Sequence, residues 1–255
     1  MKTMAVTIQK GGTCKTTTAS ALAAGLALHG KNVLSIDLDP QGDLSFAFLA
    51  RADVPSSMDV LYGQAKAEEA IQHTAQGDII AAAPALSGAD LKLASSCAGA
   101  TKLKEALEPV KKNYDYIVID TPPALGALTV NALSAADGVL IPAQANVFSL
   151  KAIKQLSATI DAVRNTTNPT LVISGILLCK YDRRPIIQRD NAAALKNEAE
   201  RLHTKVFNSR IRNCTAIQEA QLLQQSIFSY APRSHAADDY KNFVQEFLSD
   251  EKRGN

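Results

Sequence analysis

No stretch of this 255-residue chain stays apolar long enough to cross a bilayer. Segments such as Ala19 to Leu28 are broken by Ser20, Gly25 and His29, far short of the ~20 consecutive residues that a span needs. Cysteine is sparse. The four residues at 14, 97, 179 and 214 have no CxxC or Cys/His metal spacing, which suits a reducing cytoplasm better than a disulfide scaffold. Met1-Lys2-Thr3 runs directly into the strand-like Ala5-Val6-Thr7-Ile8, so no signal peptide is expected. Internal repeats and low-complexity linkers are also lacking. With 46% hydrophobic and 20% charged residues, the composition excludes a disordered or fibrous chain, and the length fits one large α/β domain or two small ones.

A large net charge is absent too, at +2, yet the charge is unevenly spread: residues 171–215 hold 9 Lys+Arg against 4 Asp+Glu. Such an excess serves a polyanion such as nucleic acid or is simply a solvated helix face, and charge alone does not separate the two.

What is present is alternation. Apolar runs at Met4–Gln9, Asn32–Ile36, Asp78–Ala82, Tyr116–Ile119, Gly138–Pro142 and Leu171–Leu178 read as strands. Between them, Lys15–Leu28, Thr101–Lys112, Leu150–Thr166 and Arg189–His203 have helical spacing. Runs that are hydrophobic throughout are strands covered on both faces, so the order predicts an α/β fold with a doubly wound, mostly parallel sheet flanked by helices. Tyr240, Phe243, Val244, Phe247 and Leu248 place an apolar stripe on a final helix whose other face carries Asp238, Asp239, Lys241, Gln245, Glu246 and Asp250. A membrane-seeking helix carries a Lys/Arg-rich polar face, so this one is expected to dock on the core. The domain is expected to span residues 1–250, with 251–255 a frayed tail.

Chemistry concentrates at the ends of the strands. The first runs into Gln9-Lys10-Gly11-Gly12-Thr13-Cys14-Lys15-Thr16-Thr17-Thr18 and then a helix, an arrangement in which backbone N–H groups wrap phosphate oxygens and the helix dipole favours negative charge. Such loops use the lysine at position 15 on the β- and γ-phosphates and the Thr16 hydroxyl on Mg²⁺. The plain GxxxxGK[ST] pattern fails, because its glycine positions fall on Gln9 and Cys14. Two further strand ends carry Asp37-Leu38-Asp39-Pro40-Gln41-Gly42 and Asp120-Thr121-Pro122-Pro123. In a parallel sheet these ends lie along one crevice, so three carboxylates are expected to face the loop. Buried, they need partners or a metal.

The strings KGGxxKTTT, DLDPQG and DTPPALGALTVNALSAAD followed by VLIPAQ together resemble the deviant Walker A ATPases of the ParA partition family, a short form without an N-terminal helix-turn-helix. The resemblance runs from Met4 to about Leu248 and includes GILLCKYDRR and YAPRSHAADDY. It implies a P-loop ATPase using ATP and Mg²⁺. The nucleotide-binding residues would be Lys10, Gly11, Gly12, Thr13, Cys14, Lys15, Thr16 and Thr17. Lys10 would be the signature lysine that crosses a dimer to the partner's phosphates, Asp39 would position water, and Asp120 would act on Mg²⁺ through water. Asp39 and Thr16 would share the metal shell, with Asp37 in support. The resemblance further implies an ATP-bound homodimer, nonspecific DNA contacts, a ParB-like partner that stimulates slow hydrolysis, and a cytoplasmic, nucleoid-associated protein with no membrane role. A MinD-like membrane-cycling ATPase and an ATP-dependent amidoligase are the alternatives within the superfamily.

Departures from the family pattern matter. An arginine is common in the family where Ala216 stands, so the DNA contacts are assigned to Arg210, Arg212 and Arg233, with Arg183 and Arg184 contributing charge. Cys179-Lys180-Tyr181-Asp182 resembles the guanine-reading NKxD pattern only faintly, and ATP is preferred. Cys14 replaces a glycine, and a side chain held where glycine serves costs on the order of 1–3 kcal/mol. Beside Lys15 and a helix N-terminus its thiol is expected to have a lowered pKa and to be covered by ATP.

Overall fold

A computed structural model describes residues 1–89, 93 and 99–253; Cys97 lies outside the described residues. Eight strands form one sheet in the order β3-β4-β2-β5-β1-β6-β7-β8. They are β1 (Lys2–Val6), β2 (Val33–Asp37), β3 (Ile71–Thr74), β4 (Gly77–Ile80), β5 (Tyr116–Asp120), β6 (Gly138–Ala143), β7 (Val172–Cys179) and β8 (Val206–Ile211). Only the β3–β4 pair is antiparallel. All six expected strands are present within a few residues of their predicted bounds. β1 ends early, at Val6, because the chain turns where the Lys10 amide donates to the Ile8 carbonyl at 2.8 Å.

The sequence reading missed β3 and β8 because neither is an apolar run. Both sit at sheet edges, and in β8 only Phe207 and Ile211 are buried. β5 and β6, by contrast, are buried at every position, as strands covered on both faces must be.

The helices are α1 (Lys15–Leu28), α2 (Asp43–Ala47), α3 (Ser57–Leu61), α4 (Ala67–Ala70), α5 (Lys102–Leu107), α6 (Ala127–Ala135), α7 (Val147–Arg164), α8 (Ile186–Arg201), α9 (Thr215–Leu222), α10 (Ile227–Tyr230) and α11 (His235–Arg253). The single helix expected over Thr101–Lys112 stops at Leu107 and gives way to a 3₁₀ turn at Lys111–Asn113. Pro109 explains the break: it has no N–H to donate to the preceding turn, although Glu108 itself keeps helical backbone.

Two apolar layers sandwich the sheet. One is built from α3, α5, α6, α7 and α8, with Leu103, Leu133, Ile153, Leu156 and Leu195 fully or almost fully buried. The other is built from α1, α2, α9, α10 and α11. On α11, Tyr240, Phe243 and Val244 are fully buried, so its apolar stripe docks on the core. α11 also continues through Arg253, and Glu251 pairs with Lys2 at 2.6 Å. The frayed tail expected from residue 251 is therefore helical to 253, where a salt bridge ties the helix to β1; residues 254 and 255 lie outside the described set. Among the described residues no helix is long and apolar enough to cross a membrane.

Candidate active site

Strand register brings the chemistry together. Asp120 at the end of β5 lies level with Val6 of β1 on one side and Asp37 of β2 on the other. The loop leaving β1 therefore emerges beside two carboxylates. This is also where the chain's course reverses across the sheet, β2 lying to one side of β1 and β6 to the other, the place where such folds bind ligands.

The loop turns twice through left-handed backbone, at Gly12 (φ 71) and at Cys14 (φ 66, ψ 29). Glycine takes this conformation freely; for Cys14 it costs roughly 1–2 kcal/mol. The Lys10 carbonyl gathers the loop by accepting from the Thr13 hydroxyl at 3.0 Å and the Lys15 ammonium at 3.4 Å. No side chain caps α1 at its N-terminus, which leaves its first-turn N–H groups available to an anion.

The three aspartates differ sharply. Asp37 is fully buried and already engaged: it accepts the Ser45 hydroxyl at 2.7 Å, the Ser45 amide at 2.8 Å and the Asp39 amide at 3.0 Å. Burial nonetheless pushes it up to about 6. Asp39 reaches the crevice and accepts the Gln41 amide at 3.0 Å. Asp120 is fully buried, and neither of its oxygens accepts a hydrogen bond of normal geometry. Burial and then the neighbouring Asp37 drive it well above the usual carboxylate range, against the pull of the Thr16 hydroxyl and Lys15. The expectation that three carboxylates face the loop is thus corrected, since Asp37 is tied to Ser45 and the base of α2.

An unpartnered, fully buried carboxylate beside Thr16 and Lys15 fits a hard cation better than an empty apolar pocket does. Among the described residues no group of three or more His, Cys, Asp or Glu side chains forms a metal cage. Mg²⁺ does not need one, since it keeps several waters and is shared with phosphates.

The crevice has a volume of about 630 Å³. Gly11, Gly12, Cys14, Lys15, Thr16, Thr17 and Asp39 line it, while Phe46, Ile217 and Leu222 supply an apolar wall. Thr13 is fully buried beneath the loop. The Cys14 thiol is lowered as expected, but by different neighbours: a hydrogen bond with Cys179 comes first, burial opposes it, and Lys180 assists.

The AAA-domain family AAA_31 matches residues 1–173. The sporulation initiation inhibitor protein Soj of Bacillus subtilis is 38% identical over 249 residues, covering 96% of this chain and 97% of Soj. The chromosome partitioning protein ParA of Caulobacter vibrioides is 35% identical over 258 residues, covering 99% and 96%. The chain belongs to the ParA/Soj family of partition ATPases. A cobyrinic acid a,c-diamide synthase from Mycobacterium smegmatis, solved with a bound ATP analogue and magnesium, superimposes with a TM-score of 0.86 at 32% identity, over 100% of this chain and 97% of that one.

Other predicted residues of this ParA/Soj-family chain fall outside the crevice, except Arg212, which lines both it and a second cavity. The Lys10 ammonium donates to Asn146 Oδ1 at 3.0 Å and lies 5.8 Å from the centre of the Phe148 ring. Arg210 stacks on Tyr181 at 4.5 Å, and with Arg183 and Arg212 it lines a separate cavity of about 540 Å³. Arg212 is held by Asp239 at 2.7 Å, whereas Arg233 is exposed and lines neither cavity. Arg184 pairs with Asp182 at 2.7 Å, so the aspartate of the NKxD-like segment is engaged on the surface.

Sequence reasoning missed four contacts. Gln144 Nε2 and the Lys180 ammonium donate to the Gly12 carbonyl at 3.1 and 3.3 Å. Gln221 donates to the Thr17 hydroxyl at 2.9 Å, and Asn146 caps α7 while holding Lys10. Of these, Gln144, as the last residue of VLIPAQ, and Lys180, in the NKxD-like segment, carried a signal.

Proposed function

We propose that the crevice binds ATP with Mg²⁺ and that the chain works as an ATP-dependent homodimer that holds DNA without regard to sequence until a ParB-like partner stimulates hydrolysis. The observation that supports this reading is the uncapped start of α1, where Lys15 lines one crevice with Asp39 above the unpartnered Asp120. Loop and first-turn N–H groups cradle the phosphates, and Lys15 neutralises charge on the β- and γ-phosphates. Thr16, Asp39 and Asp120 would hold Mg²⁺, Asp120 through water, and the metal would supply charge neutralisation on the phosphate oxygens. Asp39 orients the attacking water. Lys10 leaves Asn146 to reach the phosphates of the opposite subunit, so full charge stabilisation of the transferring phosphoryl group waits on dimerisation.

Of the three arginines assigned to DNA, Arg210 of β8 and Arg233 contact phosphates, which position a protein but carry no base information, while Arg212 is held by Asp239. The protein works in the cytoplasm and joins the nucleoid when ATP is bound. Retention of random-sequence DNA with and without ATP tests the reading. ATP-dependent retention supports it, and retention that ignores ATP or follows base sequence refutes it.

Similarity to the diamide synthase favours a second reading, an amidoligase that couples ATP to amide formation. Hydrolysis that runs without any carboxylate substrate or amine donor counts against it.

A further inference from the structure

We propose that Asn146 and Gln144 are positioning residues that hold Lys10 withdrawn in the single subunit and thereby set how readily ATP drives two chains together. This role rests on the reading in which Lys10 crosses to the opposite subunit's phosphates. A continuous relay of hydrogen bonds links the three residues to the phosphate loop. The Lys10 ammonium donates to Asn146 Oδ1 at 3.0 Å, Asn146 Nδ2 donates to Gln144 Oε1 at 3.1 Å, and Gln144 Nε2 donates to the Gly12 carbonyl at 3.1 Å. The glycine turn of the loop and its first lysine are thus joined through two side chains from the short connection between β6 and α7.

The relay has one self-consistent direction. An ammonium only donates and a carbonyl only accepts, so each end dictates which way the neighbouring amide faces, and the two amides agree. Helix capping alone does not explain the arrangement. An N-cap uses one lone pair of its side-chain oxygen, which Asn146 Oδ1 gives to the Ser149 amide at 3.0 Å. The second lone pair takes Lys10, and the cap does not require it.

The main chain of Lys10 is fixed as well. Its amide donates to the Ile8 carbonyl at 2.8 Å, and its carbonyl accepts from Thr13 and Lys15. Only the side chain is left to swing, so breaking the contact with Asn146 is the step that frees the ammonium. The Phe148 ring, 73% exposed and centred 5.8 Å from the ammonium, adds a weaker attraction.

A hydrogen bond to a charged group is worth roughly tenfold or more in an equilibrium, and a dimer in which both lysines cross must break two. Serine and aspartate separate the hold from the cap, because both cap a helix about as well as asparagine does. Serine lacks the carbon through which Asn146 reaches Lys10. Aspartate keeps the reach and adds a negative charge that strengthens the grip.

The first measurement uses the nucleotide-free full chain: brief acetylation with acetic anhydride, then peptide mass mapping, reads the accessibility of Lys10 against Lys102 of α5. Lys10 should react several-fold faster in Asn146→Ser than in the parent, and more slowly in Asn146→Asp. The second is sedimentation with Mg²⁺ and a non-hydrolysable ATP analogue. There the dimer dissociation constant of Asn146→Ser should fall on the order of a hundredfold, and that of Asn146→Asp should rise. Equal labelling of Lys10 in all three proteins overturns the hold. Faster labelling with an unchanged dimer constant, or a shift in the same direction for serine and aspartate, overturns the link to association. If none of the three associates with the analogue, the dimer reading fails together with that link, while the labelling still decides whether Asn146 holds Lys10.

Discussion

Asp37, Asp39 and Asp120 sit on two strand ends yet have three different environments. What separates them is who reaches their oxygens. Asp37 is satisfied by Ser45 and the Asp39 amide, so it shapes the turn that presents Asp39. Asp120 has no such donors. Asp39 touches the crevice without belonging to the loop that grips phosphate, so Asp39→Ala should abolish hydrolysis while ATP binding survives. Fluorescence titration and phosphate release on one preparation check this, and a variant that turns over normally excludes Asp39 from positioning water. The strand-end aspartates were legible in the sequence because an apolar run ending in Asp is a local pattern. Their division of labour was not, since it depends on Ser45, within α2, donating its amide and hydroxyl to Asp37. Cys14 shows the same limit. Its replacement of a glycine was legible, but the thiol that lowers its pKa comes from β7, and no spacing rule joins residues so distant.

Helix α1 meets α11 so closely that Gly25 has no room for a methyl group: an added Cβ would stand 2.6 Å from Val244 Cγ2. Alanine normally improves a helix by about 1 kcal/mol over glycine, but overpacking a core costs about 1–3 kcal/mol, and Val244 has little rotamer freedom with which to yield. Gly25→Ala should therefore lower stability, while the same change in a Val244→Ala background should be neutral or favourable; urea midpoints of the four proteins measure the coupling. α11 also guards the edge of the sheet. Glu246 accepts the Asn208 amide at 2.8 Å, the Ser209 amide at 2.8 Å and the Ser209 hydroxyl at 2.7 Å. Burial pushes its carboxyl upward, but these donors and Lys205 prevail and hold it below the usual range. A carboxylate depressed on folding stabilises the protein above its unfolded pKa of about 4.3 and stops doing so as the pH falls through the lower folded value. Glu246→Gln should cost roughly 1–2 kcal/mol near neutral pH, and the gap from the parent should close as the pH drops below about 4. A gap independent of pH would refute the role given to the charge. Buried strands and the apolar stripe of α11 were readable because period and hydrophobicity encode them locally. β8 was not, because an edge strand half exposed to solvent and pinned by a distant glutamate has no such signature.

Across the whole molecule the charge is balanced, so attraction to a polyanion depends on where the basic residues are free. Arg212 is clamped by Asp239, whereas Arg210 rests on the Tyr181 ring and Arg233 stands exposed. If Arg210 and Arg233 touch phosphates, removing either should weaken binding to all sequences alike. Each lost contact should also make the salt dependence shallower by about 0.9 in log affinity per log salt. Arg212→Ala should instead lower thermal stability through its buried partner. Filter retention of random DNA across a salt series, beside melting curves, separates these outcomes, and an unchanged slope for Arg233→Ala removes it from the interface. Lys2 and Glu251 join the first strand to the final helix, and that helix covers the back of α1 at Gly25 and Val244. During synthesis the phosphate loop leaves the ribosome well ahead of the helix that backs it, which follows only after more than two hundred further residues. The earliest piece of the site is thus among the last to be braced, and a chain interrupted before α11 carries a complete loop on an uncovered apolar helix.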